Sequence, residues 1–224
     1  MVPTKKCKKA LQPPQAARAA LDALCAIDPD LAGIEHAAGP LPWRTRQGGF
    51  PGLLQAIVGQ QISNQAAAAI WRRLAATPDA LTPTGMLSLD DDALRAAGLS
   101  RPKMAHARAL AAAMASGALD TDALPALPDA EAIAHIAAVR GMGPWTAEVY
   151  LLFAEQRSDI FPAADIALAG AVAALKSLSS RPNERELRRL AASWGPYRSL
   201  AARLLWHHWR HLTGRPAMDD LPLA

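Results

Sequence analysis

The sequence predicts an all-α protein, and three observations carry that prediction. Alanine dominates a hydrophobic fraction of 51% while β-branched residues are sparse, a bias toward good helix formers. Apolar residues recur at helical spacing, and no stretch sustains the two-residue alternation of a half-buried strand. Proline, glycine and capping residues break the chain at intervals of helix length. At 224 residues it can form one large domain or two closely packed lobes around a sizeable core. No solenoid repeat is present.

Residues 1–15 carry Lys5, Lys6, Lys8 and Lys9 and then Pro13-Pro14, and read as a mobile basic arm, touching a polyanion or simply solvated. Ala16 to Cys25 reads as a helix stopped near Asp28-Pro29. Gly39-Pro40, Pro42 and Gly48-Gly49 mark a loop around Trp43. Phe50 to Leu74 divides into two helices. Leu53, Leu54, Ile57 and Val58 form one apolar face, and Ser63 caps a second helix carrying Ile70 and Leu74. Gly59-Gln60-Gln61-Ile62-Ser63 joins them.

Ser88, with Asp91 three residues on, reads as a capping box, and Gly98 as a stop. Ser100-Arg101-Pro102-Lys103 opens an Ala-rich helix that ends by Gly117, and Pro125 and Pro128 break the chain after it. An Ala-rich helix runs from Asp165 to about Leu178. Pro182 starts a charged, solvent-facing helix with Glu184, Arg185, Glu186, Arg188 and Arg189. Trp194-Gly195-Pro196-Tyr197-Arg198-Ser199 ends one helix and opens the last, through Trp206 and Trp209.

The stretch with the most specific chemistry runs from Val139 to Asp165. Apolar residues lead into Gly141-Met142-Gly143, Pro144 suits a first helical turn, and Trp145 to Phe153 is helical in pattern. The result is helix, tight glycine hairpin, helix. The two glycines let successive amide N–H groups point outward together, and the next helix's N-terminus adds its dipole, which makes a phosphate site. Met142-Gly143-Pro144-Trp145-Thr146-Ala147 and Asp159-Ile160-Phe161-Pro162, followed by Asp165 opening a helix, resemble the helix-hairpin-helix/Gly-Pro-Asp DNA glycosylase superfamily. Within it they are most similar to the DNA-3-methyladenine glycosylase II branch. The resemblance spans about Phe50 to Arg210.

That resemblance implies a two-lobed helix-hairpin-helix DNA glycosylase fold with a DNA-binding cleft between the lobes. The central lobe would be residues 50–164, with the hairpin at 139–147, and the terminal lobe residues 16–49 plus 165–224. It also implies roles. Asp165, 20 residues after Trp145, matches the catalytic carboxylate; taken alone, an Asp at a helix start is an ordinary N-cap. Trp145 and Trp206 match pocket aromatics, and Tyr150 falls one place from another. An electron-rich indole attracts a cationic alkylated purine by about 0.5–2 kcal/mol. Gln61 or Ile62 would be the wedge that fills the space of a flipped base, although a polar turn with Ile62 packed inward reads equally well locally. Arg140, Gly141, Met142, Gly143 and Thr146 would hold the DNA backbone, with Arg101 and Lys103 as further phosphate contacts. Asp159 reads as structural. Ala164 stands where the family often has a second acid. Members that also cut the strand carry a lysine where this chain has Trp145, so the resemblance implies a monofunctional enzyme acting on alkylated purines in double-stranded DNA. Lys103 and Lys176 have no motif to support them as substitute amines.

The bulk numbers bound these expectations. Lys and Arg exceed Asp and Glu by 24 to 20, a modest surplus that fits a polyanion partner without demonstrating one. Two cysteines, Cys7 and Cys25, cannot supply an iron–sulfur cluster or a four-cysteine zinc site. His207, His208 and His211 lack a completed ligand set, so no metal and no cofactor is expected. With no apolar run of membrane length and no apolar signal core, the expected setting is intracellular and reducing, cytoplasmic and nucleoid-associated or nuclear, with no membrane partner and a monomer. Two alternatives stay open: a non-catalytic helix-hairpin-helix DNA-binding module, and a glycosylase for another damaged base. A nucleotide-cofactor enzyme is remote, because Gly141-Met142-Gly143 is only a fragment of a dinucleotide fingerprint.

Overall fold

The computed structural model describes residues 14–214, all helices, turns and loops with no strand among them. The basic arm expected over residues 1–15, with Cys7, lies outside the described residues except for Pro14 and Gln15. The twelve α-helices are α1 Gln15–Ile27, α2 Pro29–Ala38, α3 Gly49–Gly59, α4 Asn64–Ala75, α5 Pro83–Ser88, α6 Asp91–Ala96, α7 Arg101–Ala115, α8 Asp129–Ala137, α9 Pro144–Phe153, α10 Ile166–Leu175, α11 Glu184–Ala191 and α12 Arg198–Thr213. Single 3₁₀ turns lie at Leu124–Ala126 and Ala192–Trp194.

Most helix ends follow from local chemistry. Ser63 accepts from the Ala66 amide and caps α4, and Asn183 and Glu186 close a reciprocal capping box on α11. Two expectations need correction. Asp28-Pro29 does not only stop α1: Asp28 caps α2 and Pro29 occupies its first turn, a helix that the sequence pattern leaves unassigned. Ser88 is not a cap either. It ends α5, while Thr82 caps α5 and Asp90 caps α6.

The helices sort into two packing groups. In one, α2 and α10 pack on α12, and α1 packs on α2 and α12. In the other, α3 packs on α4, α7 and α9, α5 on α7, and α8 on α9. α3 is fully embedded, with Leu53, Leu54, Ile57 and Val58 inaccessible to solvent. Arg203 of α12 links the groups. It is buried, donates to the Arg44 carbonyl at 2.7 Å and the Leu152 carbonyl at 3.0 Å, and lies over the rings of Trp43 and Phe153. These bonds hold the 39–48 loop and the end of α9 against α12.

Candidate active site

Asp165 stands at the point where a tightly tied loop turns into α10. Arg157 fixes the start of that loop by pairing with Glu155 and with Asp129 of α8. Asp159 pairs with Arg198 through two 2.7 Å bonds, and Ser199 exchanges hydrogen bonds with Ile160. The loop is therefore anchored to the first turn of α12 before it reaches Asp165. There the Oδ1 atom accepts from the Ala167 and Leu168 amides at 2.8 and 3.0 Å, which caps α10. The Oδ2 atom accepts from the Trp145 indole N–H at 3.0 Å. One carboxylate thus serves as helix cap and as a fixed acceptor. Each of its oxygens has two lone pairs, so Oδ2 keeps acceptor capacity toward the adjoining cavity.

That cavity, about 510 Å³, is lined by Trp145, Ala164, Asp165, Ile166, Ala167, Arg181 and Trp209. Its size is that of a small-ligand cleft, roughly 300–1,000 Å³. Trp145 comes from the first turn of α9 and Trp209 from α12, so both packing groups contribute. Gly170 of α10 makes room for Trp209: a Cβ there would lie 2.6 Å from the indole ring. Ile166 follows Asp165 with 72% of its surface exposed, which is unusual for isoleucine and places an apolar side chain at the cavity rim.

The structure brings together some of the residues picked out by sequence and separates others. Trp145 and Asp165 are in contact. Trp206 does not line the cavity; it stacks on Phe153 with centroids 5.5 Å apart, and Trp209, three residues further along α12, takes the cavity wall. Tyr150 is 4% exposed, and its hydroxyl accepts from the Gly49 amide at 2.8 Å, so it works as a strut between α9 and α3. Trp209, Arg181, Ile166 and Gly170 were not singled out by sequence. The usable signals were the three-residue offset from Trp206 to Trp209 and a glycine in the middle of the apolar α10.

The hairpin lies between α8 and α9. Gly141 has φ +90°, a conformation that side chains disfavour, and a Cβ there would run into the His106 ring of α7 at 2.3 Å. Gly143 differs: its φ is −87° and a Cβ would meet nothing within 4 Å, leaving an open face at the start of α9. The Trp145 and Thr146 amides in the first turn have no carbonyl one turn back to bond. Arg140 is exposed beside them, whereas the Met142 and Thr146 side chains are buried, so these two can offer only backbone groups. Gln60 donates to the Gly141 carbonyl at 3.0 Å, tying the hairpin to the 60–63 loop. In that loop Gln61 has φ +56° and is exposed, and Ile62 is 36% exposed.

The basic residues divide likewise. Arg101 is exposed at the start of α7. Lys103 donates to the Val58 carbonyl at the end of α3, and burial pushes its ammonium below the usual lysine range. Lys176 bonds Asp28 and Asp30 at 2.7 Å. His207 donates from Nε2 to the Gly39 carbonyl at 2.9 Å, a packing role that joins α12 to the end of α2.

Residues 54–196 match the HhH-GPD superfamily base excision DNA repair protein family, and the chain belongs to that superfamily. It is similar to a DNA-3-methyladenine glycosidase from Bacillus halodurans, with 27% identity, a TM-score of 0.77, and coverage of 90% of this chain and 94% of that one. It is also similar to the Schizosaccharomyces pombe 3-methyladenine DNA glycosylase solved in complex with abasic DNA, with 26% identity, a TM-score of 0.75, and coverage of 86% and 95%. A Mycobacterium tuberculosis relative, described as a probable bifunctional transcriptional activator/DNA repair enzyme, is 34% identical over 94% of this chain. The match takes in only 43% of that longer protein.

Proposed function

We propose that this protein is a monofunctional DNA glycosylase that flips alkylated purines, of the 3-methyladenine type, out of double-stranded DNA and hydrolyses their N-glycosidic bond. The observation that carries the reading is the 3.0 Å bond from the Trp145 indole to Asp165 on the wall of a base-sized cavity. Breaking the glycosidic bond builds oxocarbenium-like charge on the sugar. A carboxylate held beforehand by two amides and an indole stabilises that charge without reorganising, and its free acceptor capacity can orient the attacking water. A cationic purine leaves without being protonated, so no strong general acid is needed.

The remaining parts divide the work. The open face of Gly143, the first-turn amides of α9 and Arg140 grip phosphates, which positions DNA without reading its sequence. Gln61 and Ile62, exposed and tied to the hairpin through Gln60, would enter the stack as the base leaves it, and Ile166 would meet the displaced nucleotide at the rim. The two packing groups, residues 50–164 and the two chain ends, would form lobes with the DNA between them. No lysine stands at Trp145, and Lys103 and Lys176 are held elsewhere, which supports hydrolysis without strand cutting. Such an enzyme would act inside the cell, as a monomer and without a cofactor.

The direct test is release of methylated bases from alkylated duplex DNA by the native protein and by Asp165→Asn. The variant keeps an oxygen to cap α10 but turns an amide toward the Trp145 donor. A loss of at least about a hundredfold in single-turnover rate, with DNA binding retained, is the expected result. Binding without release by either protein would leave only a DNA-binding module. Equal rates would move the chemistry to another residue.

A further inference from the structure

The cavity contains a positive charge that the proposed chemistry does not use. Arg181, in the connection between α10 and α11, lines the cavity with its guanidinium carbon 5.4 Å from the Trp209 ring centroid. That is cation–π distance. No hydrogen bond or ion pair holds this guanidinium among the described residues, so no carboxylate pairs with it directly. Trp145, by contrast, keeps its N–H on Asp165, and no cation lies over its ring among the described residues. The cavity therefore has one open indole and one already occupied by a cation, together with one carboxylate and one guanidinium.

We propose that Arg181 is a specificity-determining residue that lowers this cavity's preference for positively charged bases relative to neutral damaged ones. Two effects act in the same direction. A cationic base seeking the Trp209 face must first displace Arg181, and attraction to an indole corresponds to roughly two- to thirty-fold in affinity. A cationic base that leaves Arg181 in place meets a like charge at the cavity wall, where the Asp165 carboxylate no longer acts alone. A neutral base such as hypoxanthine experiences neither penalty and can stack on the planar guanidinium. Without Arg181 the cavity keeps only the Asp165 charge and gains a second open indole, and both changes favour cations. The substrate side of this inference rests on the proposed glycosylase activity; the binding side does not.

Arg181→Met keeps an apolar stem of similar reach and removes the charge, and Arg181→Lys keeps the charge without the planar group. Single-turnover release would be measured from duplexes bearing either 7-methylguanine or hypoxanthine. Quenching of tryptophan fluorescence by free 7-methylguanosine at pH 6, where it is cationic, and by inosine would be measured in parallel. In Arg181→Met the ratio of cationic to neutral release and the ratio of the two affinities should both rise about tenfold, with Arg181→Lys remaining close to the native protein. Unchanged ratios, or equal changes for both bases, overturn the proposal. If the native protein releases no base from any duplex, the glycosylase reading fails and the nucleoside titrations still decide the role of Arg181. There, equal binding of the two nucleosides by native and Met proteins, including no binding at all, overturns it.

Discussion

Glu148 follows Trp145 by one turn on α9 and is 4% exposed, with Arg188 of α11 as its charged partner at 3.5 Å. Burial pushes its carboxyl up to about 7, and the half-exposed Arg188 only partly opposes that. In the unfolded chain a glutamate titrates near 4.3. Because the folded pKa is the higher one, the protonated form contributes stability below pH ~4, and this contribution is lost as pH rises through about 7. The cost of the charged form above pH 7 is about 3–4 kcal/mol. Glu148→Gln, neutral throughout, should match the native protein near pH 4 and be more stable by about that amount at pH 8. Urea midpoints at the two pH values test this, and a constant gap between the proteins would contradict it. At this scale the sequence was only partly legible. Asp165 could be read both as a cap and as a catalytic carboxylate; the structure shows the cap, and its other oxygen, held by the Trp145 indole, supports the proposed catalytic role. The choice of Trp209 over Trp206 could not be read, because it depends on the rotation of α12 and on the space left by Gly170.

The hairpin shows what an element adds to its residues. Its two glycines look equivalent in sequence, yet Gly141 is required by its own backbone and by His106, while Gly143 faces open space. Gly141→Ala should destabilise the fold by about 1–3 kcal/mol, through positive-φ strain and the clash with His106. Gly143→Ala should leave the melting temperature within a degree or two and weaken DNA binding severalfold, since a methyl group there would stand where a phosphate must approach. Thermal melts paired with binding to an undamaged duplex separate the two. If Gly143→Ala binds DNA as well as the native protein, this face does not grip phosphate. Helix existence was legible where start signals and apolar faces agreed, as with the Ser63 cap of α4 and Pro102 in the first turn of α7. α2 was missed because Asp-Pro marks a stop and a start equally well, and only the packing of Leu31 and Ile34 into the core decides between them.

Over the whole molecule, distant parts of the chain meet around Asp28. Its carboxylate accepts from Lys176 at the end of α10 at 2.7 Å, from the Trp194 indole at 2.8 Å, and from the Asp30 amide at 3.2 Å. Burial raises the Asp28 carboxyl, but the bonds from Lys176 and Trp194 together outweigh it and hold the group below the usual range. Sequence pattern could not show this hub, since its members lie 148 and 166 positions apart. The hub fixes the C-terminal end of the helix whose N-terminal end carries Asp165, so it positions the site without touching it. Lys176→Met leaves a mostly buried carboxylate without its cation and should cost about 1–3 kcal/mol at neutral pH. Because the folded pKa is depressed, the native protein's advantage is fully present above the unfolded value near 3.9 and fades as pH falls below it. The two proteins should therefore converge in stability as pH falls below about 4 and stay separated from pH 5 upward. Excision per folded molecule should change less than about twofold, because α10 keeps its cap and its packing on α12. A pH-independent gap in unfolding free energy would show that Lys176 acts through packing of its stem rather than through the Asp28 charge.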